Sequence, residues 1–65
     1  MTRTEAAANY ANAYRAHAIA KNRTCNIDAA TAFATSDVLN MTKNMSDENA
    51  VYVINDEAAF LMEAA

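Results

Sequence analysis

The sequence contains no glycine and no proline in 65 residues. A chain of this length ordinarily carries about seven or eight of the two together, at roughly 7% Gly and 5% Pro. Their absence excludes collagen-like repeats, Gly-rich phosphate loops, dinucleotide-binding fingerprints and proline-rich ligand segments. Only Asn and Asp remain to supply backbone at positive φ, so tight hairpins are hard to build and an all-β fold is not expected. Cys25 is the single cysteine, which leaves no intramolecular disulfide and points to a reducing, cytoplasmic compartment. No run approaches the ~18 apolar residues of a membrane span, and no apolar segment follows basic residues at the N-terminus, so neither membrane insertion nor secretion is expected. The three N-x-[S/T] triplets at Asn22, Asn40 and Asn44 then read as composition.

What is present is alanine, at 17 positions. Setting alanine aside leaves 18 larger apolar residues, of which only ten are Ile, Leu, Val or Phe. The net charge of −3 is too small to favour disorder, yet a core of ten such residues is marginal for a lone domain. With no disulfide to supplement it, the expected supplement is oligomerisation or a partner.

The spacing predicts an all-α fold: a small three-helix bundle, or a helical hairpin plus a short helix, completed by oligomerisation. A first helix over 3–21 opens with Thr2 and Glu5 at capping-box spacing. Ala6, Ala7, Tyr10, Tyr14, His17 and Ala18 share one side of it, opposite Glu5, Asn9, Asn12 and Arg15. A second helix over 28–45, with Asn26 or Asp28 as cap, carries Ala30, Phe33, Ala34, Val38, Met41 and Met45 at spacings of three and four. Thr35-Ser36-Asp37 are weak helix formers, so residues 35–37 either bend this helix or divide it into two. A third helix over 47–64 follows a Ser46 cap, with Asp47 and Glu48 where the positive pole of the dipole favours them. Val51, Ile54, Ala58, Leu61 and Ala65 form its stripe, flanked by Ala50 and Met62. Val51–Ile54 also has strand propensity, but no second β-rich run offers a partner, and helix is the preferred reading.

Charge and apolar bulk divide unevenly. Residues 1–23 carry a net +3, residues 24–65 a net −6, and residues 1–26 hold only Ile19 of the ten branched or aromatic core formers. An interaction face is expected at Tyr10, Tyr14, His17 and Lys21, which follow one another at 4-3-4 spacing. An acidic face is expected at Asp47, Glu48, Asp56, Glu57 and Glu63. Catalysis has little to draw on. His17 is the only histidine, Cys25 falls in a connection, and no set of His, Cys or carboxylates has metal-ligand spacing. No enzyme activity, cofactor or metal is expected, and Cys25 is read as an inert thiol.

No motif places the chain in a family; in size and composition it resembles the accessory proteins of compact genomes such as those of phages. The function expected is that of a non-enzymatic interaction module, an inhibitor or adaptor binding another macromolecule through helix faces, with a protein as partner and self-association. The alternative is a nucleic-acid-related regulator. That regulator would be either a weak binder through the Arg3, Tyr10, Tyr14 and Lys21 side or an acidic mimic. A helix-turn-helix over 28–45 is also conceivable, though Lys43 would be the only cation on its reading helix.

Overall fold

The computed structural model describes residues 1–64 and contains three helices, α1 (Arg3–Ala20), α2 (Ile27–Met41) and α3 (Asp47–Ala64), with no strand among the described residues. The small all-α bundle is as expected, and Val51–Ile54 lie within α3. Ala65, placed at the end of the expected α3 stripe, lies outside the described residues.

Side chains take over at the helix ends, where backbone partners run out. At the start of α1 the Thr2 hydroxyl accepts from the Glu5 amide at 3.1 Å, and the Glu5 carboxylate accepts from the Thr2 amide at 2.9 Å. The bond from the Thr2 backbone amide, and after it one from the Thr2 side chain, hold the Glu5 carboxyl below its ordinary range. At the other end of α1, Arg23 N–H donates to the Ala18 carbonyl at 2.8 Å and Asn22 N–H to that of Ile19 at 3.0 Å. This is a Schellman ending, whose turning residue needs a positive φ. Asn22 takes it, at φ 58°, in place of the missing glycine. Asn22→Gly is therefore expected to raise stability by about 0.5–1 kcal/mol and Asn22→Ala to lower it by about 1 kcal/mol, read as shifts in a urea midpoint.

Asn26 occupies the cap position of α2 but sits at φ 53° and makes no side-chain capping bond. Two findings bear on the expected α2. It is continuous through 35–37, so it is one helix and not two, with the Thr31 and Thr35 hydroxyls donating back to the carbonyls of Ile27 and Thr31 at 2.7 and 2.8 Å. It also stops at Met41 rather than 45, where Thr42 turns its hydroxyl onto the carbonyls of Val38 and Leu39. α3 begins as expected, with the Ser46 hydroxyl accepting from the Asn49 amide at 3.2 Å.

α1 is the central helix. It packs along both α2 and α3, while those two scarcely touch, giving a slab of 35 × 22 × 16 Å. Arg3 meets Asp47 at the first turns of α1 and α3, so the two run parallel, with α2 antiparallel beside them. The core is Ala6, Val38 and Ile54, with Tyr10, Leu39 and Val51 packed against it. Ala6 and Ala50 are fully enclosed, and their small side chains let the helix backbones come close. Several residues expected in the core stripes lie outside it. Phe33 and Met41 on α2 and Met62 on α3 are exposed, and Met45, also exposed, lies in the connection beyond the end of α2.

Candidate interaction surface

The cations divide by use. The Arg3 guanidinium donates to the carbonyls of Thr42 at 3.0 Å and Met45 at 2.7 Å and pairs with Asp47 at 3.0 Å, tying α1 to the α2–α3 connection. Arg15 pairs with Asp28 across the α1–α2 end. Lys21, Arg23 and Lys43 stand exposed.

The expected acidic residues do not form one face. Asp47 is held by Arg3. Glu57 turns toward α2, where it shares a cavity with Tyr10, Asp37, Val38 and Met41. Glu48, Asp56 and Glu63 fall on the outer side of α3, opposite the stripe that packs on α1. Tyr52 and Phe60 lie among them at spacings of four and three, 74% and 66% exposed. The outer side of α3 is thus a strip in which carboxylates alternate with bare aromatic rings. On α2, Phe33 is also 74% exposed and stands beside a hollow of about 360 Å3 lined by Ala29, Ala32 and Ser36.

The expected Tyr10, Tyr14, His17 and Lys21 face is mostly half-covered. Tyr10 packs on the core cluster, its ring centroid 6.5 Å from that of Tyr14. His17 is partly buried and its Nδ1 has no hydrogen-bond partner. Lys21 caps the end of α1 and is exposed. Burial, and then the charge of Glu57, push the Tyr10 phenol above its usual value, with smaller contributions from Tyr14 and Asp37. Cys25 is exposed, and no cluster of three His, Cys or carboxylate side chains among the described residues could hold a metal ion.

Reasoning from the sequence placed Phe33 in the α2 stripe and Asp37 in a helix interruption, and gave Tyr52 and Phe60 no part in a site. The signal for the α3 pair was present, because Glu48, Tyr52, Asp56, Phe60 and Glu63 repeat at 4-4-4-3, half a turn from the core stripe. No comparable signal marks Asp37, which depends on how α2 and α3 are placed. Comparison with protein-family models, curated proteins and solved structures finds no match to this chain.

Proposed function

We propose that the chain is a non-enzymatic interaction module, a small inhibitor or adaptor that binds another protein through helix faces and works in the cytoplasm. The observation that carries this reading is that both phenylalanines and Tyr52 stand outside the core, while Ile54 is the one large apolar side chain fully inside it. Exposed aromatic groups rimmed by polar ones are the usual anchors of protein interfaces. The outer side of α3 is assigned to the partner. Two copies meeting there would bring Glu48, Asp56 and Glu63 against themselves, whereas a basic surface would neutralise them. Self-association is assigned to α2, where Ala29, Ala32, Phe33 and Ser36 carry no charge and Phe33 can enter the hollow of a second copy.

The test is a tagged pull-down from the native host with mass measurement of the intact complex. Phe60→Ser is expected to leave the melting transition within about 0.5 kcal/mol of the parent. It should cut partner affinity about 30-fold, as loss of an anchor of roughly 2 kcal/mol would. Phe33→Ser should leave partner affinity unchanged and abolish self-association in light scattering. A parent chain that is a stable monomer at micromolar concentration removes the oligomer half of the proposal.

A second reading, acidic mimicry of nucleic acid, draws support from Asp37, Glu48, Asp56, Glu57 and Glu63, none of which pairs with a cation among the described residues. It predicts no binding to DNA or RNA at low salt but competition with them for a third protein. Direct nucleic-acid binding has less support, since Arg3 and Arg15 are engaged internally.

A further inference from the structure

A cleft opens where α2 and α3 diverge above α1. Because those two helices scarcely touch, the seam between them is not filled, and Tyr10 of α1 forms its floor. Val38 and Met41 line it from α2, with Asp37 on the α2 side and Glu57 on the α3 side. The cavity measures about 200 Å3, below the range of about 300–1,000 Å3 of sites that enclose drug-sized ligands. It suits a single long side chain.

The chain leaves both carboxylates uncompensated. The ion pairs among the described residues are Arg3–Asp47 and Arg15–Asp28, and neither reaches this cleft. Burial is the main cause of the raised Tyr10 phenol, and the charges of Glu57 and, less, Asp37 add to it. An apolar plug would strip water from two charged groups without replacing it, and an anion would be repelled. A hard metal ion needs more oxygen ligands than two carboxylates and a phenol supply. A cation on an apolar stem satisfies all the walls at once.

We infer that this cleft receives an arginine side chain of a protein partner, with its stem along Val38, Met41 and Tyr10 and its guanidinium between Asp37 and Glu57. The inference rests on the interaction reading above and names the partner's chemistry: a basic surface with an arginine at its centre. Arginine is favoured over lysine because its planar fork of five donors can serve two carboxylates together, and its head sheds water more readily than an ammonium. A partner is favoured over a second copy because this chain carries a net charge of −3. A separate hollow of about 250 Å3 on α3, lined by Asp56, Glu57 and Phe60, has Glu57 in common with the cleft. One partner can thus place an arginine in the cleft and an apolar group on Phe60.

The test is an NMR titration of the isotope-labelled full chain with a capped alanine–glutamine peptide carrying one arginine, against the same peptide with citrulline, its uncharged isostere. Saturable shifts at Tyr10, Val38 and Met41 with the arginine peptide alone are expected. Asp37→Asn combined with Glu57→Gln should weaken that binding about fivefold to tenfold, the combined effect of two exposed charge contacts. Both side chains are exposed and unpaired, so the double variant should melt with the parent. Equal binding of the citrulline peptide overturns the inference. So do shifts centred on Glu48 and Glu63, which would mean diffuse ion attraction. Concentration-dependent shifts at the cleft of the free chain that vanish in Arg23→Gln would make the occupant a second copy and overturn it as well. The two proposals separate in the pull-down. Capture lost in Phe60→Ser but kept in the double variant sinks the cleft alone. No captured protein, with the peptide still bound, sinks the interaction reading and leaves the arginine site.

Discussion

Ile54→Ala is expected to lower stability by about 4–5 kcal/mol, a large share of what the chain has. Ile54 is the only large apolar side chain with no exposure, and Val38 at 3% is its one comparable neighbour in the core cluster. Truncating a buried isoleucine costs about 2–5 kcal/mol, and the upper part of that range applies where the surroundings cannot collapse into the cavity. Here they cannot, because Ala6 and Ala50, both fully enclosed in the same interior, have no rotamers with which to fill it. A domain of this size has about 3–10 kcal/mol in total, at roughly 0.05–0.15 kcal/mol per residue. Ile54→Val, which removes one methyl group, should cost only about 0.5–1.5 kcal/mol and fold. Urea unfolding followed by far-UV circular dichroism measures both. An Ile54→Ala midpoint equal to that of the parent would show that stability resides elsewhere, most plainly at the faces assigned to self-association.

Arg3→Met should be the second most damaging substitution, at about 2–3 kcal/mol, although it removes no apolar group. The guanidinium donates to two carbonyls of the α2–α3 connection, that of Thr42, which also accepts from the Met45 amide at 3.0 Å, and that of Met45. Hydrogen bonds from a charged donor contribute about 1.5–3 kcal/mol each at most, and partial exposure of the Arg3 side chain reduces that. The ion pair with Asp47 adds little, because Asp47 is 84% exposed. Asp47→Asn is therefore expected to cost less than about 1 kcal/mol. Arg3→Lys should recover under half of the loss, since one ammonium cannot span three acceptors. Equal effects of Asp47→Asn and Arg3→Met in thermal melts would show that the ion pair matters more than the carbonyl bonds.

The parts of this fold that depend on neighbours three or four residues away were legible in the sequence. Thr2 with Glu5, and Ser46 with the acidic turn after it, marked the helix starts that the structure shows. The inner stripe of α3 around Ile54 was legible for the same reason. Spacing defines a helix face without saying whether anything covers it, and that is why Phe33, Met41 and Met45 were placed with Val38 in a core. Phe33 and Met41 lie on α2, which α3 scarcely touches because it lies along α1, and Met45 lies beyond the end of α2. Arg3 was grouped with surface cations because its acceptors are some forty positions away, at 39 and 42 residues. Asp37 looked like a helix interruption, and its place at the cleft depends on the angle between two helices that no local pattern encodes.

The central position of α1 has a consequence for the newly synthesised chain. The larger of its two interfaces is with α3, the last of the three helices to leave the ribosome, and Ile54 belongs to that helix. Contacts between segments this far apart carry the loop-closure entropy of everything between them, so they form late. Until α3 emerges, α1 and α2 are a hairpin of mostly alanine surfaces, and Val38 is the one apolar side chain larger than alanine that these two helices bury in the complete fold. During synthesis, then, the first two helices are held by the Arg15–Asp28 contact, the bond from Arg3 to the Thr42 carbonyl and the packing of alanines with Tyr10, Val38 and Leu39, and the larger interface of α1 waits for α3.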